Sequence, residues 1–325
     1  MILLTGATGY IGSYTWIELL KGPNEVVGID NLSNSSTSSL GAIAAISGKT
    51  PNFIEGDIRD KEFLDQIFDE YSFTHVIHLA GLKDIHESMV EKAEYFDVNV
   101  KGTDNLLQTM KSYNCLKVIF SSSAAVYGDC TSSPIKEVDA LNPSNYYGET
   151  KLEGERILAK AFNGPPIISS ISLRYFNVAG IHPSRKLPGY SGSNTHSLFS
   201  EIESVITGKS ESLKIFGNDW GTSDGTCIRD YLHITDLVKG HLDALKLLDD
   251  LEKCLALNLG LGVGQSVYGV ISTCEHITGK LISKKVVPRR PGDVGVSIAN
   301  THLAAQLIRW RPEKTLADMC SDFLL

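Results

Sequence analysis

Short apolar runs alternate with amphipathic segments through residues 1–175, and no other feature of the sequence restricts the fold as much. The apolar runs are rich in valine and isoleucine and read MILLTG, EVVGID, PNFIEGD, THVIHLA, KVIFSSS and IISSISLRYF. Between them, segments such as DKEFLDQIFDEY and ETKLEGERILAKAF carry apolar residues every three or four positions, which is typical of helices. Because strands that alternate with helices build βαβ units, we predict an α/β fold with a doubly wound parallel sheet covered by helices on both faces.

The pattern becomes less regular after residue 175. The stretch IHPSRKLPGYSGSNTHS, at 181–197, is rich in glycine, proline and serine and predicts a long loop. Later segments, among them LFSEIESVITG, SLKIFG, ALNLG and SVYGVISTCEHITG, predict a smaller mixed α/β unit. We therefore divide the chain into a first domain, 1–175, and a second domain, 176–325, with some later segments returning to the first.

Composition excludes several classes of function. The chain has 38 acidic and 30 basic side chains, a net charge of −8, and no run of lysine and arginine, so nucleic-acid binding is not expected. No uncharged run is long enough to span a membrane, and no basic region precedes the N-terminal apolar run, so we expect neither a membrane span nor a signal peptide, and a cytoplasmic protein by default. The six cysteines lack CxxC spacing, which predicts reduced thiols and no metal site.

A glycine-rich loop follows the first apparent strand. TGATGYIG places Gly6, Gly9 and Gly12 before the first helix, where glycines let the backbone approach a pyrophosphate at the helix N-terminus. Asp30 ends the second apparent strand, where a carboxylate binds the adenosine ribose and repels a 2′-phosphate. Together they predict a Rossmann-type domain that binds NAD rather than NADP. Asp57, after the third strand, is interpreted either as an adenine contact or as a solvated loop carboxylate.

The stretch NYYGETK predicts a catalytic tyrosine. Tyr147 and Lys151 are four residues apart and share one helix face, whereas Tyr146 points about 100° away and is interpreted as packing or substrate-facing. A nearby ammonium and a positively charged nicotinamide would lower the pKa of the Tyr147 phenol toward the range useful to a general base. The earlier run KVIFSSSAAVYG ends a strand in serines, one of which can bridge a substrate oxygen and the phenol.

These motifs, in this order, resemble the extended short-chain dehydrogenase/reductase family and, within it, the UDP-glucose (UDP-galactose) 4-epimerases. The resemblance runs nearly end to end and is most specific in LRYFNVAG, LKIFGND, DGTCIRDYLHITDL, NLGLGVGQSV and PRRPGD. It implies a first domain that binds NAD, a second domain that binds a UDP-sugar, and a homodimer formed through helices of the first domain.

The resemblance also implies roles for individual residues. The catalytic residues would be Ser123, Tyr147 and Lys151. NAD would be held by Gly6, Gly9, Tyr10, Ile11, Gly12, Asp30, Asn31, Asn34, Ser35, Asp57, Ile58, Leu79, Ala80, Gly81, Lys83, Asn99, Ser121, Tyr147, Lys151 and Tyr175. The UDP-sugar would contact Lys83, Ser123, Tyr147, Asn177, Ser197, Leu198, Phe216, Arg229, Arg290, Asp293 and Ser297.

The implied reaction is reversible C4 epimerisation of UDP-glucose and UDP-galactose. The sugar would be oxidised at C4 by NAD, would turn over while its UDP group stays bound, and would be reduced on the opposite face. Related 4,6-dehydratases and decarboxylases carry an acidic residue shortly after the strand-end serine, where this chain has Ala124 and Ala125, which cannot transfer protons. A non-catalytic NAD-sensing module is the other alternative, and retention of Tyr147 disfavours it.

Two positions bear on the substrate. In this family a bulky aromatic residue at the position of Ser297 restricts the sugar pocket, so a serine leads to the hypothesis that UDP-GlcNAc and UDP-GalNAc are also accepted. Ser197 stands where family members often have asparagine, which puts its contact with the sugar phosphate in doubt.

Overall fold

The computed structural model describes residues 1–187 and 197–322. Its strands are β1 Ile2–Thr5, β2 Val26–Asp30, β3 Asn52–Glu55, β4 His75–His78, β5 Lys117–Ser123, β6 Ser169–Tyr175, β7 Asn177–Ala179, β8 Leu213–Phe216, β9 Ile228–His233, β10 Cys254–Leu259, β11 Gly264–Ser266, β12 Lys284–Val287 and β13 Val296–Ser297. Its α-helices are α1 Tyr10–Lys21, α2 Ser38–Ser47, α3 Lys61–Glu70, α4 Ile85–Val90, α5 Lys92–Phe96, α6 Gly102–Ser112, α7 Tyr146–Asn163, α8 Leu198–Ile206, α9 Ile234–Asp249, α10 Val267–Thr278, α11 His302–Leu307 and α12 Leu316–Ser321. The predicted loop at 181–197 falls mostly on residues 188–196, which lie outside the described residues.

A seven-stranded parallel sheet forms the centre of the molecule, in the order β10-β6-β5-β4-β1-β2-β3. The strand order reverses between β1 and β4, as it does in doubly wound sheets. The predicted α/β fold is therefore confirmed. Strand β3 lies at the edge of the sheet and is half-exposed, whereas β1, β2 and β6 are fully buried.

Helices cover the sheet on both faces because each presents an apolar stripe to it. On one face α1 and α9 pack through Trp16, Ile17 and Leu237, together with the buried Trp310. On the other face α3, α6 and α7 pack through side chains such as Leu106 and Leu158. Each fully buried leucine or isoleucine contributes about 1.5–3 kcal/mol relative to its exposed state, so these two layers hold the sheet in place.

The later part of the chain contributes to two structures. Strand β10 pairs in parallel with β6 and α9 packs on the central sheet, so both belong with the first sheet. Strands β7, β9, β11 and β13 form a separate four-stranded sheet, and β8 pairs with β12. A third apolar cluster, which includes Phe199 and Ile215, lies beneath these strands. The division at 175/176 stays a prediction.

Candidate functional site

The passage from β1 into α1 requires glycine at two positions. Gly6 has φ +67°, and a Cβ there would stand 2.7 Å from the Ala80 nitrogen. A Cβ on Gly12 would stand 2.0 Å from the Gly6 carbonyl oxygen. This close packing brings the N-terminus of the 12-residue helix α1 to the carboxyl edge of the sheet, where its first N–H groups lack intrahelical acceptors and can bind phosphate oxygens.

Asp30 is held in a defined orientation beside this loop. Its Oδ2 accepts a hydrogen bond from the Thr8 N–H (3.2 Å), and its Oδ1 accepts from the Leu32 N–H (3.0 Å) and the Ser35 hydroxyl (2.9 Å). The side chain is 8% exposed, at the end of β2. A carboxylate in this position still has lone pairs for ribose hydroxyls, and Ser35 orients it from behind.

Asp57 is clamped by an arginine that the sequence analysis does not single out. Arg59 donates to both carboxylate oxygens, from Nε (3.1 Å) and Nη2 (2.8 Å), and Asn31 donates to Oδ2 (2.8 Å). Burial acts to raise the pKa of Asp57, but these hydrogen bonds outweigh it and hold that pKa at about 2. Glu94 and Asp97 also contact Arg59, so its charge is shared among three carboxylates, which agrees with an NAD site rather than a 2′-phosphate site. The sequence signal that could have identified Arg59 is its position two residues after Asp57, in the stretch EGDIRD at 55–60.

These groups line one cavity at the carboxyl edge of the sheet. The predicted cofactor residues that line it are Gly6, Gly9, Tyr10, Ile11, Gly12, Asp30, Asn31, Asn34, Asp57, Ile58, Leu79, Ala80, Gly81, Lys83, Ser121, Tyr147, Lys151 and Tyr175. Lining residues that the motifs did not identify are Ile29, Ser33, Gly56, Leu82 and Val98, each next in sequence to a predicted one. Asn99 supports the wall, since its side chain accepts from the Leu82 N–H (2.8 Å) and donates to the Leu82 carbonyl (2.9 Å). Residues that fit a dinucleotide therefore surround a single cleft.

Helix α7 places the tyrosine and the lysine at one end of this cavity. Asn145 caps the helix by accepting the Gly148 N–H (2.9 Å), so that Tyr147 and Lys151 stand one turn apart. The Lys151 ammonium donates to the Ser121 carbonyl (2.8 Å) and lies 5.9 Å from the Tyr147 ring centroid. Ser123, at the end of β5, hydrogen-bonds the Tyr147 phenol and accepts from the Ala125 N–H. The structure thus brings the three predicted catalytic residues together.

Burial dominates the protonation of this group. It raises the pKa of Tyr147 to about 12, against which the hydrogen bond from Ser123 acts in the lowering direction. It lowers the pKa of Lys151 to about 8. The protein alone therefore keeps Tyr147 as a neutral phenol, and the lowering expected from the sequence is left to a bound cation. Tyr146 points elsewhere, with the Lys92 ammonium 5.2 Å from its ring centroid.

A second cluster of charged and aromatic side chains lies on β8, on β9 and on the loop between β12 and β13. The Arg290 guanidinium stacks 3.6 Å from the Phe216 ring centroid, and Arg229 Nη2 lies 3.9 Å from Asp293 Oδ1. Ser297, which is buried, is the register partner of Arg229 in the parallel pairing of β13 with β9. Register partners point to the same side of a sheet, so Ser297 and the arginine share a face.

The loop that carries Arg290 is attached to the catalytic helix. The Gly292 carbonyl accepts from the Ser144 hydroxyl (3.2 Å) and from the Asn145 side chain (3.4 Å), the two residues that precede α7. Arg289, next to Arg290, stacks 4.1 Å from the Trp220 ring centroid and forms an ion pair with Asp219 (2.7 Å). No sequence motif predicts these two contacts. The two clusters are therefore held at a set separation.

The other predicted substrate residues lie on nearby elements. Asn177 is exposed on β7, which pairs with β9. Ser197 caps α8 by accepting the Ser200 N–H (3.2 Å), and Leu198 packs on the third apolar cluster. The Ser197 hydroxyl thus has a structural use, in line with the doubt about its phosphate contact.

Three further features of the described residues bear on function. No group of histidine, cysteine, aspartate or glutamate within 1–187 and 197–322 could hold a metal ion. The six cysteines are unpaired thiols. In that same part of the chain, no helix combines the length and the apolar character needed to cross a bilayer.

Comparison with known proteins places this arrangement among nucleotide-sugar enzymes. The NAD dependent epimerase/dehydratase family matches residues 2–260. The chain is 40% identical over 321 residues to a UDP-glucose 4-epimerase of Bacillus subtilis, covering 99% of this chain and 95% of that protein. It is similar to the solved UDP-glucose 4-epimerase of Stenotrophomonas maltophila with bound NAD and formylated UDP-arabinopyranose (TM-score 0.95, 37% identity, 99% and 96% of the chains covered). It is also similar to that of Bifidobacterium longum in complex with NAD⁺ and UDP (TM-score 0.94, 37% identity, 99% and 96% covered).

Proposed function

The chain belongs to the NAD dependent epimerase/dehydratase family, and on that premise we propose which of its residues carry out its reaction. The enzyme is an NAD-dependent UDP-glucose 4-epimerase that interconverts UDP-glucose and UDP-galactose at C4. The observation that supports the assignment of residues is the junction of Tyr147, Ser123 and Lys151 at one end of the cofactor cavity, on a helix bonded to the arginine-bearing loop.

Tyr147 acts as the general base and acid at the sugar 4-hydroxyl. NAD held by the residues that line the cavity would supply the acceptor and the donor for the C4 hydride. Ser123 hydrogen-bonds the phenol and stands where it can also bond the sugar oxygen, so the proton has a short path. Lys151, held by the Ser121 carbonyl, supplies the positive charge that favours the phenolate.

The second cluster anchors the UDP group while the sugar turns. Arg229 and Arg290 offer planar guanidinium groups to the diphosphate, whose charge they can neutralise in bidentate contacts. The ring of Phe216 offers an apolar face to the base, and Asp293 can accept from the uridine ribose. Because this loop is bonded to the start of α7, binding energy from the remote UDP group positions both faces of the sugar over the same phenol.

Ser297 leads to a wider substrate range. It stands on β13 beside Arg229, and its small side chain leaves room that a bulky aromatic residue would fill. We infer that the enzyme also turns over UDP-GlcNAc and UDP-GalNAc.

The assembly and the location of the enzyme are also proposals. Val90 and Phe96 are exposed apolar side chains on α4 and α5, which pack beside α7, and they support a homodimer formed through helices of the first domain. The unpaired state of the cysteines supports a reducing compartment, the cytoplasm.

Incubation with UDP-galactose, followed by chromatographic separation of the epimers, tests the assignment. The wild-type protein should form UDP-glucose. Tyr147→Phe should lose at least about a hundredfold in turnover while retaining bound NAD, since general acid–base catalysis supplies typically that much. Turnover that survives this change would rule Tyr147 out as the base, and a 4-keto-6-deoxy product would point to a dehydratase instead.

A further inference from the structure

A buried histidine of α9 contacts the wall of the cofactor cavity. His241 is 0% exposed, and its Nε2 lies 2.5 Å from the hydroxyl of Tyr175, which ends β6 and lines the cavity with Tyr147 and Lys151. The two rings are 5.3 Å apart at an interplanar angle of 51°, so they meet through the hydrogen bond rather than by stacking. The mechanism above gives His241 no role.

The second nitrogen of His241 determines which partner donates. Its Nδ1 lies 3.0 Å from the Leu237 carbonyl oxygen, which can only accept, so Nδ1 carries the hydrogen. A neutral imidazole has one N–H, and therefore Nε2 accepts and Tyr175 donates. Burial lowers the pKa of His241 to about 4, which keeps the ring neutral near pH 7.

The Tyr175 oxygen consequently acts only as an acceptor toward the cavity. The Ser121 side chain hydrogen-bonds it from one side, and the Ser121 carbonyl accepts from the Lys151 ammonium (2.8 Å). A chain of polar contacts thus runs from the interior of α9, through His241, Tyr175 and Ser121, to the catalytic lysine.

We propose that His241 is a positioning residue for the cofactor: it holds the Tyr175 oxygen as an acceptor, and that oxygen takes a hydrogen bond from the carboxamide N–H of the nicotinamide. This inference rests on the proposed function only in placing the nicotinamide at the end of the cavity marked by Tyr147 and Lys151. A phenol free to rotate could also donate to the carboxamide oxygen. The nicotinamide would then lose a directional preference that hydride transfer to and from one ring face requires.

A double-mutant cycle with NADH as the probe tests the inference independently of activity. The variants are His241→Leu, Tyr175→Phe and the pair together, and the dissociation constant of NADH is measured from its bound fluorescence. Each single change should weaken NADH binding about tenfold, the value of one ordinary hydrogen bond. In the Tyr175→Phe background, His241→Leu should add nothing, because its effect passes through the phenol.

Two further variants separate positioning from packing. His241→Gln keeps an acceptor for the phenol and should bind NADH within about threefold of wild type. Leu245→Ala removes a buried apolar side chain from the same helix and should lower the melting temperature as much as His241→Leu while leaving NADH affinity unchanged.

Equal weakening by His241→Leu with and without Tyr175 would overturn the inference, as would unchanged NADH affinity in His241→Leu. Epimerisation of UDP-galactose by the wild-type protein is measured alongside. If that rate is zero, the proposed function fails, whereas the NADH cycle still decides the role of His241.

Discussion

Removal of the Lys151 charge should move the pH dependence of the reaction by a predictable amount. Burial lowers the pKa of Lys151 to about 8, so its side chain is still mostly an ammonium at pH 7, and burial raises the pKa of the Tyr147 phenol to about 12. With the ammonium 5.9 Å from the ring centroid, Coulomb's law at an effective dielectric constant of about 20 gives about 3 kcal/mol of phenolate stabilisation, or about 2 pKa units. A bound, positively charged nicotinamide would lower the pKa of the phenol further.

Lys151→Met in NAD-saturated enzyme should therefore raise the apparent pKa of the reaction by about 2 units and lower kcat at pH 7 about a hundredfold. The assay is kcat for UDP-galactose between pH 6 and pH 10. Lys151→Arg is the matched control, since it keeps the charge and should stay close to the wild-type profile. If the Lys151→Met profile inflects at the wild-type pH with only a lower plateau, the lysine acts by binding and not by its charge on the phenol.

The remaining predictions concern binding, specificity, stability and assembly. Arg290→Leu should raise KM for UDP-galactose about 10- to 100-fold, because it removes a charge-assisted hydrogen bond to the substrate. Arg289→Leu should raise KM less, because Asp219 already binds that guanidinium, and equal effects of the two variants would refute the assignment of Arg290 to the diphosphate. Ser297→Tyr should abolish turnover of UDP-GlcNAc and preserve that of UDP-galactose, and a wild-type enzyme inactive on UDP-GlcNAc would reject the wider range. Asp57→Asn should lower the free energy of unfolding by about 1 kcal/mol at pH 7, after discounting for solvent screening. Because the pKa of Asp57 is depressed in the folded protein, the difference between variant and wild type should vanish as the pH falls from about 4 to about 2. Chemical denaturation measures this difference, and a value that does not change with pH would contradict the role of Arg59 in clamping Asp57. Phe96→Glu should convert the homodimer to a monomer in light scattering, and an unchanged mass would place the interface elsewhere.

Local patterns in the sequence were sufficient for the central fold and for much of the site. The alternation of apolar runs and amphipathic segments specifies buried strands and covering helices, because each period is a direct consequence of strand or helix geometry. The glycine spacing before α1 and the four-residue interval between Tyr147 and Lys151 are equally local. Helix α2 is not predicted from the sequence, because its segment, SSLGAIAAIS, is rich in serine and lacks charged residues.

Contacts between residues distant in the chain were decided only by the tertiary structure. No local pattern indicates that Arg59 would also contact Glu94, 35 residues away, or that His241 on α9 would reach Tyr175. The attachment of Gly292 to the start of α7 joins residues 147 positions apart, and the pairing of β10 with β6 joins Cys254 to Ser170, 84 positions apart. Such contacts depend on how whole elements pack, and side-chain periodicity records only which face of an element is buried, not which partner will lie against it.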